Sequence, residues 1–342
     1  MNNYIKEDVL SYKAFTVRIK NEMDKVLGDD YMVVINNITK NNGQEMDGLI
    51  IHSKYNNVSP IIYLEGLYNE YLGGMNINDV ISRIIMILDN SSGKEYEDLF
   101  ISEDYSEVKG SIIFKVVNYE KNENMLQNLP HIKFVDLAVV FMYLVNTDSR
   151  GIASVKIHID HMNMWNVDEE QLFRDALVNT ERIFPCTIRT MNEVIREIVN
   201  TNPGMLLGED IDWMSEDESE YRLSCDEESK DNKIIDQMLD KLLEGNQCDM
   251  YILSNNNGIN GAAVILYKGL LSKISARLDS DFMILPSSVH EVILVPVNNI
   301  NVDDMEIKKI VEEINITQVP KEEVLSDNVY YYLRGDNVLR IA

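Results

Sequence analysis

Cysteine is almost absent from this chain: Cys186, Cys225 and Cys248 are the only three in 342 residues. They are odd in number for a disulfide framework and too widely spaced for a zinc knuckle, so a reducing, cytoplasmic setting is expected. Glycine (16) and proline (7) are scarce too, and no Walker A loop, no G-x-G-x-x-G after a strand and no H-E-x-x-H occurs. That removes the standard nucleotide-binding and zinc-protease readings. The longest apolar run, Leu137 to Val145, is far too short to span a bilayer. The N-terminus, Met1-Asn2-Asn3-Tyr4-Ile5-Lys6-Glu7-Asp8, has no basic region followed by an apolar run, so no signal peptide is expected.

Positive charge is the largest deficit. With 31 basic against 57 acidic residues the formal net charge is -26. Between Glu209 and Asp231, eleven acidic residues face only Arg222 and Lys230, a local -9 that leaves -17 for the remainder. Such a balance repels phosphate backbones, because duplex binding requires Lys and Arg that release counterions. Direct nucleic-acid binding is therefore not expected. What remains is a solvated acidic surface, or one that competes with nucleic acid for a basic partner.

Hydrophobic residues make up 45% of the chain, enough for one large core or two smaller ones. Phe15, Ile19, Met23, Val26 and Leu27 recur at helical spacing up to Gly28, a helix end. Tyr31 to Ile38 and Met46 to His52 flank Lys40-Asn41-Asn42-Gly43 and predict a β-hairpin. Two helices follow, one from Pro60 through Tyr71 to Gly73-Gly74 and one through Ile81 and Leu88. Strands are expected at Ser111 to Asn118, at Phe134 to Val145, and at Ala153 to Ile159, where Ser154, Lys156, His158 and Asp160 alternate with apolar residues. Leu172 to Leu177 and Ile188 to Ile198 predict two further helices. After the acidic tract come a helix through Ile235 and Leu242 and strands at Met250 to Ser254 and Ala262 to Tyr267. A helix through Ile274, the segment Asp281 to Pro296, a helix through Ile310 and a terminal hairpin across Gly335-Asp336-Asn337 complete the chain. This order does not alternate strictly. It predicts an α+β fold of two subdomains, residues 1–205 and 232–342, with mixed or antiparallel sheets and packed helices, joined by an acidic linker at 206–231.

Two clusters carry the residue types of chemistry. Ser287, Ser288, His290 and Glu291 could supply nucleophile, base and orienter. A relay needs side chains converging from separate elements, however, and on an extended chain Ser288 and His290 share a face while Glu291 points away. The spacing Ser288-x-x-Glu291 matches a capping box instead, so a capped turn between two buried strands takes precedence. The second cluster is His158-x-Asp160-His161, whose first two members share the polar strand face. Two ligands do not make a metal site, and no metal or cofactor is assigned. His52 and His131 have no sequence-local partner. In the acidic tract, Trp213 is the candidate for docking on a partner; the tract lacks the glycine turn and terminal glutamate of an EF-hand.

The segment Asp281-Phe282-Met283-Ile284-Leu285-Pro286-Ser287-Ser288-Val289-His290-Glu291-Val292-Ile293-Leu294 resembles the hallmark of an uncharacterised bacterial family, domain-of-unknown-function family 5688. Phe184-Pro185 followed by Thr190-Met191-Asn192-Glu193-Val194-Ile195 looks like its second signature. The likeness covers nearly the whole chain, and a looser similarity in element order extends to domain-of-unknown-function family 1444. The resemblance implies no activity, substrate or cofactor. The expected function is that of a protein-binding or accessory module without catalysis. The alternatives are a hydrolase using Ser287 or Ser288 with His290, and an acidic mobile-element accessory or nucleic-acid mimic that blocks a basic enzyme.

Overall fold

The computed structural model describes residues 9–54, 61–92, 101–148, 151–201, 250–297 and 303–342. It divides into two compact units, Met1–Glu103 and Asp104–Ala342. The acidic linker, Trp213 and the helix expected through Ile235 lie outside the described residues. Among those residues the chain is α+β, with three antiparallel sheets, and no helix is long and apolar enough to cross a membrane.

In the first unit, α1 (Tyr12–Leu27) starts on Ser11, whose side chain accepts from the Ala14 amide, and stops at Gly28 with φ 69°. β1 (Tyr31–Thr39) and β2 (Glu45–Ser53) form the expected hairpin, with Val33 opposite Ile51. β3 (Ile61–Tyr63) adds to β2, so the helix read from Pro60 begins only at Leu64: α2 (Leu64–Leu72), followed by α3 (Ile77–Ser92). The tyrosine stripe of α2 is core. Tyr68 and Tyr71 lie 5.1 and 5.3 Å from the Phe15 ring, and their hydroxyls bond the Leu10 carbonyl and amide.

The second unit holds two sheets. After the short α4 (Tyr105–Val108), β4 (Ile112–Asn118), the short α5 (Glu123–Leu126), β5 (His131–Phe134), β6 (Leu137–Asp148) and β7 (Gly151–Lys156) build the first. Long β6 pairs with β4 on one side, and with β5 and then β7 on the other. The apolar run expected as one strand from Phe134 is thus broken by a tight turn at Val135 and Asp136, with Val135 at φ 57°. β7 ends at Lys156, and the chain enters α6 (Ile159–Trp165) and α7 (Glu169–Ile183).

The second sheet has the order β13-β12-β10-β11-β9-β8. Its strands are β8 (Cys186–Thr190), β9 (Tyr251–Asn255), β10 (Phe282–Pro286), β11 (Val292–Pro296), β12 (Tyr330–Leu333) and β13 (Val338–Ile341). Ile188, expected in a helix, belongs to β8; α8 (Met191–Thr201) starts after it. Ala262 to Tyr267, expected as a strand, is a 3-10 helix at Gly261–Leu266. α9 (Leu270–Leu278) and α10 (Asp304–Thr317) lie where helical spacing put them.

The expected boundary near residue 205 does not coincide with a unit boundary. Ile188 of β8 pairs with Leu253 of β9, so residues on both sides of the acidic tract belong to one sheet.

Candidate functional site

The hallmark segment occupies the centre of the six-stranded sheet. Phe282, Met283, Ile284, Val292 and Leu294 are fully buried, which is why its two halves read as continuous apolar runs. β10 and β11 pair antiparallel with Pro286 opposite Val292, leaving residues 287–291 as the connecting loop.

The loop is held by its own polar groups. The Ser288 amide donates to the Glu291 carbonyl at 3.2 Å, and Ser288 Oγ accepts from the His290 amide at 3.0 Å. The latter is a serine turn spanning two residues. Ser287 Oγ donates to Glu291 Oε1 at 3.4 Å. The expected capping box is therefore not formed: no helix follows, Ser288 takes the second amide rather than the third, and Glu291 reaches Ser287.

Neighbouring segments clamp the same loop from outside. Asn260, in the left-handed conformation, donates its amide to His290 Nδ1 at 3.1 Å, which leaves the ring proton of the neutral tautomer on Nε2, 3.6 Å from Glu323 Oε1. Ser254 Oγ donates to the His290 carbonyl at 2.8 Å, the Ala262 amide to Val289 O at 3.2 Å, and the Val289 amide to Glu323 O at 2.8 Å. The four candidate residues are thus brought together, but as the struts of a hairpin. The Ser288 hydroxyl meets the main chain of His290, and ring Nδ1 is occupied by an amide.

From this geometry Ser288→Ala is expected to lose about 1 kcal/mol, a fall of a few degrees in Tm. A fluorophosphonate probe is expected to leave Ser287 and Ser288 unlabelled. Labelling that disappears in Ser288→Ala would restore the serine-nucleophile reading.

The second signature is also structural. Thr190 Oγ1 accepts from the Glu193 amide at 3.2 Å, and Glu193 Oε2 accepts from the Thr190 amide at 2.7 Å. This reciprocal pair is a capping box at the start of α8. Its hydrogen bonds hold the Glu193 carboxyl below the usual glutamate range. Upstream, the Phe184 carbonyl accepts from Tyr267 Oη at 2.7 Å, and the Pro185 carbonyl from the Asn256 amide at 3.0 Å.

His158 and Asp160 do not share a strand face. His158 is the residue before α6, where its amide donates to His161 Nδ1 at 3.0 Å, while Asp160 sits in the first turn. The His161 ring stacks on Trp165 at 5.8 Å, and its pKa is lowered by burial and by His158. Among the described residues no three His, Cys, Asp or Glu side chains are grouped as a metal site.

Three further features were not singled out in the sequence. An open polar cleft of about 440 Å³ lies between the start of α7 and Tyr105, which donates to Asp175 Oδ2 at 2.7 Å. At the β5–β6 turn, the Asp136 carboxylate accepts from Ser326 Oγ (2.6 Å), Asn328 Nδ2 (2.9 Å) and Tyr330 Oη (2.7 Å). Within apolar β4, Lys115 lies over the core face of the first sheet, where burial and then Lys156 push its pKa down to about 8. A lone lysine inside Ile112-Ile113-Phe114-Lys115-Val116-Val117 was the signal that could have found it.

No curated protein and no solved structure matches the chain. A model of a family of unknown function, DUF5688, matches residues 12–334, nearly the whole chain, and the chain belongs to that family.

Proposed function

We propose that the chain is a non-catalytic binding module whose acidic exterior recognises a basic protein partner. The observation that carries this reading is the state of the hallmark loop: Ser287, Ser288, His290 and Glu291 are all engaged in holding the hairpin. With these groups engaged, the strongest remaining recognition feature is a charge of -26. A field of that size steers a cationic partner towards the surface and repels nucleic acid.

The test uses the tagged full chain as bait at low salt, with salt elution. The expected result is a stoichiometric basic protein that rebinds in purified form, with affinity weakened about tenfold or more on raising salt from about 50 to 500 mM, since exposed charge pairs are screened over that range. A captured partner whose binding ignores salt, or no stoichiometric partner, would overturn the proposal. A partner that is itself a nucleic-acid-binding enzyme, inhibited on binding, would make the chain a mimic inhibitor.

A further inference from the structure

β1 lies at the edge of the sheet of the first unit, paired with β2 alone. A free edge invites further pairing, and proteins blunt theirs with charge, proline or a bulge. Most of this chain follows that rule. Among the described residues, and apart from the three-residue β3, every other edge strand carries a cation: Lys115 on β4, Lys133 on β5, Lys156 on β7, Arg189 on β8 and Arg340 on β13. The interior strands β9 to β12 carry no charge. β1 breaks the pattern. Tyr31-Met32-Val33-Val34-Ile35-Asn36-Asn37-Ile38-Thr39 has no charged residue and no proline, and its register with β2 runs without a bulge from Tyr31 opposite Ser53 to Thr39 opposite Glu45. It has the composition of an interior strand at the position of an edge.

Which backbone groups face outward follows from the bonds that bracket the hairpin. The Lys40 amide donates to the Gln44 carbonyl, and the Lys54 amide to the Asp30 carbonyl. Bonded and non-bonded positions alternate in an antiparallel pair, so the even-numbered residues of β1 bond to β2. The N–H and C=O of Tyr31, Val33, Ile35, Asn37 and Thr39 therefore point away from it. The edge is open to solvent: Met32 is 59% exposed, and Asn36, Asn37 and Thr39 are exposed too.

We propose that two copies of the chain join through β1, antiparallel about a two-fold axis at Ile35, so that two three-stranded sheets become one continuous sheet. This register sets odd residues against odd, and every outward group meets a complement: Ile35 opposite Ile35, Val33 opposite Asn37, Tyr31 opposite Thr39. Met32 comes to stand opposite Ile38, and no charge enters the seam.

The charges that flank the strand select a second copy as the occupant. In the same register Asp30 of one copy stands opposite Lys40 of the other, at both ends of the seam. Both are even-numbered and rise from one face of the sheet. Lys54 holds Asp30 only at 3.9 Å and leaves its side chain 57% exposed, while Lys40 Nζ lies over the Tyr63 ring at 3.8 Å. A seam of nine residues a side is smaller than the roughly 20–30 of a standard interface, so the dimer is weak and reversible, with Kd on the order of 10–100 μM. The inference goes beyond the partner reading above and does not rest on it.

The experiment is sedimentation equilibrium of the full chain from about 1 to about 500 μM in about 0.15 M salt, which screens long-range repulsion between two chains but not a pair in contact. A monomer–dimer equilibrium is expected. Asn37→Pro removes an outward N–H and spares the bonds to β2, and it is expected to stay monomeric throughout. Lys40→Glu places like charges opposite each other at both ends and is expected to weaken dimerisation about tenfold. Adding Asp30→Lys to Lys40→Glu is expected to restore it. Should Asn37→Pro fail to fold, the charge reversals, which lie outside the strand, read the same register. A chain that is monomeric at every concentration, a dimer indifferent to Asn37→Pro, or a double variant no tighter than Lys40→Glu would overturn the proposal. Binding of an added extended peptide by a chain that stays monomeric would likewise overturn it and assign the edge to another protein.

Discussion

Gly261→Ala is expected to destabilise the second unit by at least about 3 kcal/mol, enough to shift its denaturant midpoint far outside the range of ordinary surface substitutions. The reason is space, since a Cβ at this position would sit 2.8 Å from the Asn255 amide nitrogen and closer still to Ser254 Oγ and the His290 carbonyl. Two of those three atoms are main chain. The third cannot swing away freely, because Ser254 Oγ is bonded to that same carbonyl at 2.8 Å. Relief therefore requires the hallmark loop to separate from the 3-10 helix, breaking the bonds from Asn260 to His290 Nδ1 and from Ala262 to Val289. Adding Ser254→Ala to Gly261→Ala removes one clashing atom and leaves the other two, so partial recovery is expected. Equilibrium unfolding in urea of the single and double variants checks this. A Gly261→Ala protein within 1 kcal/mol of wild type would mean that the loop does not depend on close approach here.

How far the fold is legible in the sequence follows from which interactions are local. The helix ending at Gly28, the hairpin around Asn42-Gly43 and the terminal hairpin across residues 335–337 are set by short-range patterns, and all three are present. The misreadings share another cause. Ile188 and Ala262 to Tyr267 carry apolar patterns that fit strand or helix equally, and partners distant in the chain decide: β9 recruits Ile188 into a strand, whereas the close contact at Gly261 belongs to a 3-10 turn. The spacing Ser/Thr-x-x-Glu occurs in both signature segments and makes a capping box only at Thr190 and Glu193, where a helix follows. At Ser288 and Glu291 the chain must return as β11, so the same residue types adopt a different set of bonds. The loop residues themselves were identifiable as a unit. Their clamps, Asn260, Ser254 and Glu323, were not, because nothing local marks a contact across 30 or more positions.

Asp136→Ala is expected to cost about 3–5 kcal/mol, more than any other single side-chain removal at the described polar sites. Its carboxylate is the common acceptor for Ser326, Asn328 and Tyr330, and both Ser326 and Tyr330 are buried to within 1%. Truncation would leave these donors facing a void, and an unsatisfied buried donor costs more than the bond it made. The Tyr330 pKa is raised well above the ordinary phenol range by burial and then by Asp136, so the hydroxyl stays a donor at any physiological pH. The backbone is strained to place this acceptor: Val135 sits at φ 57°, a conformation that β-branched residues rarely adopt. Val135→Gly should accordingly leave stability unchanged or raise it by up to about 1 kcal/mol, in contrast to the loss at its neighbour. Around the carboxylate, Asn118 Nδ2 donates to Leu325 O at 3.1 Å, and Lys121 pairs with Asp327 at 2.9 Å, so strand ends of the first sheet grip the segment leading into β12. A urea-unfolding cycle with Tyr330→Phe gives the decisive reading. If the carboxylate is the hub, Tyr330→Phe costs less in the Asp136→Ala background than in the wild type, by about 1 kcal/mol or more. Additive losses would mean that the tyrosine and the aspartate contribute separately, and that the strain at Val135 serves some other contact.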